Sequence, residues 1–155
     1  MKTEKKLPAM VKALTSEEIE AIETFYSAWK KKKPELLDEV CTPDWQDIPL
    51  GPGQADGPKG LKDIITGFSA TFPDVEIIIH EIYGNHERAG VRAAFAFTHD
   101  KELMGIPATG KWVELALHEF HHLKDGKLTH TWHLEDWFGL LLTTGTWAGK
   151  GLGAN

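Results

Sequence analysis

The first half of the chain carries apolar residues at the three- to four-residue spacing of helices. One helix is predicted to begin at Thr15 or Ser16, because either residue can act as its N-cap. Pro34 opens a second, shorter helix, and a third ends before Pro73. The stretch 51–60, with four glycines and two prolines, is predicted to be a loop. The apolar positions of the three helices are Ile19, Ile22, Phe25, Tyr26 and Trp29, then Leu36, Leu37 and Val40, then Leu61, Ile64, Ile65, Phe68 and Phe72.

From residue 75 onward the pattern changes to the two-residue period of β-strands. Long strands that follow one another favour a curved antiparallel sheet. Helices that precede such a sheet should pack on one of its faces, which gives an α+β domain. The predicted strands are 44–50, 75–83, 90–100, 112–123 and 128–137.

The last predicted strand suggests which face of the sheet points inward. Its even positions include Leu128, Trp132 and Leu134, whereas its odd positions are polar, so the even face is predicted to be buried. Asp136 shares that face. Because a buried carboxylate is costly unless it is paired, neutral or used, Asp136 becomes a candidate functional residue.

Two turns could join this strand to the preceding one, and they bury opposite faces of the preceding strand. A two-residue turn at Asp125 and Gly126 pairs Leu123 with Leu128. A three-residue loop with a bulge at Gly126 pairs Leu123 with Lys127 instead. The first choice places Glu119 and His121 on the face of Asp136, and the second places Glu114, Ala116, His118, Phe120 and His122 there.

Composition narrows the class of protein. The net charge of −6 argues against a nucleic-acid partner, which needs a clustered basic surface. Cys41 is the only cysteine, so no intrachain disulfide forms, which favours a reducing, cytoplasmic compartment. No apolar stretch approaches the ~20 residues of a membrane span. We expect one domain over residues 15–145, between a loose leader at 1–14 and a glycine-rich tail at 146–155.

Three segments resemble one known family. They are GPKGLKDIITGFSATFPDV, FTHDKELMGIPATGKWV and HHLKDGKLTHTWHLEDWFGLL. In these segments the chain is similar to the SnoaL-like polyketide cyclases of the NTF2-like superfamily. The resemblance implies an NTF2-like cone, in which a curved antiparallel sheet wraps around N-terminal helices and leaves a deep apolar pocket. It also favours the bulged turn.

The resemblance further implies an intramolecular aldol condensation without cofactor or metal, with Asp136 as general acid/base and His122 as its catalytic neighbour. Burial would raise the pKa of such an aspartate toward the working pH. The substrate is expected to be a small apolar or aromatic carbonyl compound. The expected substrate-binding residues are His118, Phe120, His130, Trp132, Trp45 and His99.

Other interpretations stay open. Asp136 precedes a helical turn and could serve only as its N-cap. The domain could be a non-catalytic ligand-binding dimer. It could also be a different enzyme with the same pocket, such as a dehydratase, an isomerase or an epoxide hydrolase; the last could use Arg92, although no second aspartate is evident for that role. A homodimer is expected, because the bulged turn leaves three apolar side chains facing outward and in need of cover. Those residues are Val113, Leu115 and Leu117.

A metal enzyme is a further alternative, since imidazole and carboxylate groups bind transition metals. The spacing of the candidate ligands matches no recognised metal-site pattern. These candidates are Glu114, His118, His122, His130 and Asp136.

Overall fold

The computed structural model describes residues 12–147, so the predicted leader and tail lie largely outside the described residues. The helices are α1 Ser16–Lys31, α2 Leu36–Val40, α3 Gly57–Thr71 and α4 Trp137–Thr144. The strands are β1 Cys41–Ile48, β2 Glu76–Asn85, β3 Arg88–His99, β4 Lys111–Lys124 and β5 Lys127–Glu135. The predicted α+β class is confirmed. Among the described helices, none is long and apolar enough to cross a membrane.

The first helix begins where the sequence predicts. Thr15 caps α1 in a capping box: its hydroxyl accepts from the Glu18 amide at 3.1 Å, and the Glu18 carboxylate accepts from the Thr15 amide at 2.8 Å. The third helix begins earlier than predicted, at Gly57, because Pro58 suits the first turn of a helix. The apolar sides of α1 and α3 then pack against one face of the sheet.

The sheet has the strand order β1-β5-β4-β3-β2. The first strand runs parallel to β5, and all other neighbours are antiparallel. The inner face of β3 and β4 carries the core beneath the helices. Its buried members include Val91, Ala93, Phe95, Phe97, Val113, Leu115 and Leu117.

The turn between β4 and β5 is the two-residue one, so the predicted bulged loop is wrong. Asp125 and Gly126 both have positive φ, at 50° and 77°, which is the conformation of a tight hairpin turn. Leu123 pairs with Leu128, but the register then shifts by one residue, and His122 pairs with His130. The bulge therefore lies in the strand and not in the turn.

This shift reverses the faces of β5 and corrects the predicted inner face. Leu128 is buried, but beyond the extra residue Thr129 the inward positions are the odd ones, Thr131, His133 and Glu135. Unbroken alternation along β5 would keep the even positions inside, but a one-residue bulge breaks that alternation. On β4 the buried residues are likewise odd-numbered, so the face given by the bulged turn is wrong.

The observed face of β4 also removes the apolar outer surface on which the predicted homodimer depended. The three apolar side chains expected to face outward, Val113, Leu115 and Leu117, are each 3% exposed or less and belong to the core. The outer face of the sheet carries a different set of exposed aromatic and apolar side chains. They include Tyr83, Trp112, Phe120 and Leu134.

Candidate functional site

A cavity of about 310 Å³ lies between the helices and the inner face of the sheet. Most of its wall is apolar and aromatic, as is usual for sites that bind small organic molecules. Its apolar lining includes Phe25, Trp29, Leu61, Ile64, Phe68, Ile77, Phe95, Leu117 and Trp137.

The polar side chains of the cavity come from α1, β1, β4, β5 and the loop after β1. They are brought together because the odd positions of β4 and β5 face inward side by side. The polar lining consists of Tyr26, Asp47, Gln54, Glu119, Thr131, His133 and Glu135.

Glu119 is the most deeply buried carboxyl group of the cavity, with 8% of the residue exposed. Tyr26 Oη donates to its Oε2 at 2.5 Å, and within residues 12–147 Oε1 has no hydrogen-bond partner in the protein. Burial raises the pKa of Glu119 to about 8, against the opposing effect of the Tyr26 hydrogen bond. Near neutral pH this carboxyl group can therefore both accept and return a proton.

Behind Glu119 lies a buried set of hydrogen bonds. Tyr26 Oη is 2.8 Å from His121 Nε2, and His121 Nδ1 is 3.0 Å from Thr131 Oγ1. Burial lowers the pKa of His121 to about 3, so this imidazole is neutral at working pH. Burial raises the pKa of Tyr26 well above its usual range, and its hydroxyl stays protonated.

A second polar cluster surrounds His133. Its Nδ1 is 2.9 Å from Glu135 Oε1, and its Nε2 is 2.8 Å from the Pro49 carbonyl oxygen and 3.5 Å from Asp47 Oδ1. Carboxylates and carbonyls only accept, so both ring nitrogens carry protons in this geometry. The Glu135 hydrogen bond raises the pKa of His133 to about 9, which agrees with an imidazolium.

Asp47 belongs to the same cluster. Its Oδ2 accepts from Gln54 Nε2 at 2.7 Å, which joins β1 to the loop at the cavity wall. Burial raises the pKa of Asp47, although the hydrogen bond from Gln54 opposes this effect. One cation and several carboxyl groups thus meet at the polar end of an apolar cavity.

Asp136 lies outside this cavity, so its predicted inward position is wrong. The residue is exposed, and its Oδ1 accepts from the Gly139 amide at 2.8 Å, which caps α4. The close approach of Asp136 explains the glycine, because a Cβ at position 139 would lie 2.1 Å from Asp136 Oδ2. Asp136 is therefore the N-cap of α4.

Five other predicted site residues lie on the outer face of the sheet, away from the cavity. The rings of His130 and Trp132 stack at 5.5 Å between centroids, and His122 packs against Trp132 at 4.6 Å. His118 and Phe120 point to the same side, where Phe120 is 57% exposed. Their predicted pocket position is wrong for two reasons. The two-residue turn sends the even positions of β4 outward, and the bulge at Thr129 sends the even positions of β5 outward.

The remaining two predicted residues are buried but do not line the cavity. The predicted stacking position of Trp45 in the cavity is wrong. Its Nε1 donates to Thr131 Oγ1 at 3.0 Å. His99 is completely buried, with Nδ1 3.1 Å from Thr109 Oγ1. The side chains suggested as metal ligands do not come together. Over residues 12–147 no three histidine, cysteine or carboxylate side chains are close enough to hold one metal ion.

A family model for SnoaL-like polyketide cyclases matches residues 19–143. This chain belongs to the SnoaL-like polyketide cyclase family. The match covers all five strands, α2, α3, all but the first three residues of α1 and all but the last residue of α4. The SnoaL-like domain therefore includes the cavity and both polar clusters. A search of curated proteins finds no match.

Solved structures confirm the NTF2-like fold of this SnoaL-like protein. A Bacillus cereus protein provisionally assigned as a polyketide cyclase is 28% identical, with a TM-score of 0.70 over 93% of this chain and 97% of its own. IdmH from Streptomyces antibioticus, with the same provisional assignment, is 24% identical, with a TM-score of 0.74 over 83% and 98%. AclR from Streptomyces galilaeus, provisionally assigned as a hydroxylase, is 22% identical, with a TM-score of 0.70 over 85% and 98%.

Sequence reasoning missed most of the polar residues of this SnoaL-like cavity. Only the alternative with the two-residue turn places Glu119 on the inner face, and unbroken alternation along β5 places His133 and Glu135 on the solvent side. Tyr26 lies in the apolar face of the first predicted helix, and that pattern gives its hydroxyl group no special role. The polar residues at the odd positions of β5 are the signal in the sequence that could have located the polar part of the site. A strand without the bulge would point those residues away from the helices.

Proposed function

We propose that this SnoaL-like protein is a cofactor-independent enzyme that transfers protons on a small apolar carbonyl substrate, with Glu119 as its general acid/base. The observation that carries the proposal is the open Oε1 of Glu119 in an apolar cavity, on a carboxyl group whose pKa is raised to about 8. The proposal assigns to Glu119 the role that the resemblance gave to Asp136.

The reaction we propose is an intramolecular aldol condensation. Glu119 carboxylate removes a proton from a carbon beside a carbonyl, and the resulting enolate attacks a second carbonyl of the same molecule. A new carbon–carbon bond forms, and the second carbonyl becomes an alkoxide. Glu119 then returns its proton to that alkoxide, so the carboxyl group ends in its starting state and no oxidant or metal takes part.

The surroundings of Glu119 suit this chemistry. The apolar wall makes the surroundings of Glu119 less polar than water, which strengthens electrostatic interactions inside the cavity. His133 lies opposite Glu119 across the strand pair, and its positive charge favours the negative charge that develops on the substrate oxygen. Because both His133 nitrogens already donate to protein oxygens, this effect acts through the electric field of the cation and not through a direct hydrogen bond.

The first step can be tested with 2-tetralone, a bicyclic ketone with acidic hydrogens beside its carbonyl. We expect the protein to accelerate exchange of these hydrogens with deuterium from solvent, measured by proton NMR. Glu119→Gln should reduce the acceleration by about 100-fold, as loss of a general base typically does. Glu114→Gln is the matched control, because Glu114 lies on the exposed side of the same strand. Equal exchange in wild type and Glu119→Gln would refute the proposed role.

A non-catalytic ligand-binding domain is the second candidate. The observation that favours it is the mutual pairing of the polar groups around His133, which leaves few of them free for a substrate. Binding of 2-tetralone without any acceleration of its hydrogen exchange would support this candidate over the enzyme.

A further inference from the structure

Five buried side chains form one continuous line of hydrogen bonds that ends at the cavity. Trp45 Nε1 is 3.0 Å from Thr131 Oγ1, which is 3.0 Å from His121 Nδ1. His121 Nε2 is 2.8 Å from Tyr26 Oη, which is 2.5 Å from Glu119 Oε2. All five residues are 8% exposed or less, so water has little access to compete for these hydrogen bonds.

Trp45 fixes the direction of this line at its far end. An indole nitrogen can only donate, so Thr131 Oγ1 accepts from Trp45. The Thr131 hydroxyl hydrogen needs an acceptor of its own, and within residues 12–147 its only other partner is His121 Nδ1. Leaving a buried hydroxyl hydrogen without an acceptor costs about 1–3 kcal/mol. Thr131 therefore donates to His121 Nδ1.

The rest of the direction follows from that bond. With Nδ1 accepting, neutral His121 carries its single hydrogen on Nε2 and donates it toward Tyr26 Oη. Tyr26 then directs its hydroxyl hydrogen to Glu119 Oε2, which acts as an acceptor.

We propose that Trp45, Thr131, His121 and Tyr26 are positioning residues that hold Glu119 Oε2 as an acceptor, so that only Oε1 exchanges a proton with the substrate. This inference rests on the proposed role of Glu119. It gives a function to Trp45, which does not line the cavity.

If every hydrogen bond between Glu119 and Thr131 ran in the opposite direction, the proton of Glu119 would lie on the oxygen that faces Tyr26. Protonated Glu119 Oε2 would donate to Tyr26, Tyr26 to His121 Nε2, and His121 Nδ1 to Thr131. The proton would then rest on the oxygen that faces Tyr26 and not the substrate, and the Thr131 hydrogen would lack an acceptor. The donor at Trp45 disfavours this unproductive arrangement.

Charged groups on the neighbouring elements also act on Glu119. Asp47 of β1 and Glu135 of β5 raise its pKa, whereas the His133 cation of β5 lowers it. None of these groups belongs to the line, so variants within the line leave them in place. A change in the titration of Glu119 in such variants can therefore be assigned to the line itself.

The decisive experiment is nitrogen-15 NMR of histidine in the ligand-free protein, since ring-nitrogen shifts distinguish the two neutral tautomers. His121 is assigned from the signal lost in His121→Gln. We expect the Nε2–H tautomer for His121 at neutral pH, and the Nδ1–H tautomer would overturn the proposal. Because no substrate is used, this result is separate from the 2-tetralone assay: an Nε2–H tautomer with full exchange activity in Glu119→Gln would refute only the catalytic role.

A matched pair of variants tests the positioning role. Thr131→Val removes the hydroxyl group, whereas Thr131→Ser keeps it. We expect Thr131→Val to move the pH midpoint of 2-tetralone exchange to higher values, because Glu119 loses the oriented Tyr26 donor that stabilises its carboxylate. Thr131→Ser should keep the wild-type midpoint. A residue with only a structural role would lower the rate at every pH and leave the midpoint unchanged, and that outcome would contradict the proposal.

Discussion

Glu119 and His133 pair across β4 and β5, and both side chains face the cavity. Burial raises the pKa of Glu119 to about 8, and the Glu135 hydrogen bond raises that of His133 to about 9. At neutral pH the pair therefore consists mainly of a neutral acid beside a cation. This state keeps negative charge off the most deeply buried carboxyl group of the cavity.

These shifts predict how stability depends on pH. Between pH 6.5 and 8 the folded protein binds more protons than the unfolded chain, at Glu119 and at His133 alike. The free energy of unfolding should therefore fall as pH rises, by up to about 1.4 kcal/mol per pH unit for each group. Below pH 6.5 the lowered pKa of His121 acts in the opposite sense and offsets the contribution of Glu119. Urea unfolding across this pH range measures the slope.

The variant Glu119→Gln isolates one of the two contributions. It removes the titrating group but keeps a side chain of similar size, so its stability should fall less steeply between pH 6.5 and 8 than that of wild type. Glu114→Gln, on the exposed side of the same strand, should retain the wild-type slope. Identical slopes in all three proteins would show that Glu119 titrates in the ordinary acidic range.

His133 is predicted to hold the loop after β1 in place. Its imidazolium joins Glu135 of β5 to the Pro49 carbonyl, and hydrogen bonds to charged groups contribute about 1.5–3 kcal/mol each. His133→Ala should destabilise the fold by about 2 kcal/mol. Hydrogen–deuterium exchange should also quicken at the amides of Gly51 and Gln54, which form hydrogen bonds within this loop.

His130→Ala is the matched control, because His130 lies three positions away on the same strand and on the outer face. It should leave the exchange of the loop amides unchanged. If His133→Ala also leaves that exchange unchanged, His133 does not tether the loop.

Asp136 is predicted to act as a helix cap and not as the acid/base. Asn caps helices about as well as Asp, so Asp136→Asn should keep the wild-type stability and the wild-type rate of 2-tetralone exchange. Asp136→Ala should lower the free energy of unfolding by about 1 kcal/mol without a selective loss of exchange activity. Thermal unfolding and proton NMR measure the two effects. A folded Asp136→Asn protein without activity would return the catalytic role to Asp136.

The error over Asp136 shows what the sequence could and could not predict. Helical spacing and the Thr15 cap located α1, and two-residue alternation located the long strands, because both patterns depend on local burial. The family resemblance identified the fold. None of these signals specifies where a strand gains one extra residue, and the bulge at Thr129 reverses every side chain between it and Asp136.

The site itself depends on contacts between distant parts of the chain. Tyr26 and Glu119 are 93 positions apart, and Trp45 and Thr131 are 86 apart. Tyr26 and Trp45 look like ordinary core aromatics in the sequence, since each lies among apolar residues. Their polar atoms gain a role only when the faces of β4 and β5 are known.

The outer face of the sheet leads to the last prediction. Tyr83, Phe120 and Leu134 are 56%, 57% and 73% exposed, and they line one depression on the outer face of the sheet. Large exposed apolar patches are typical of interaction surfaces. We propose that this face joins two copies of the chain in a homodimer. Leu134→Lys should then shift the sedimentation coefficient from that of a dimer to that of a monomer, because it places a charge in the interface. Ile19→Lys, which changes an exposed apolar residue of α1, should leave the dimer intact. A wild-type protein that sediments as a monomer would refute the proposed homodimer, and a Leu134→Lys protein that stays dimeric would place the interface elsewhere.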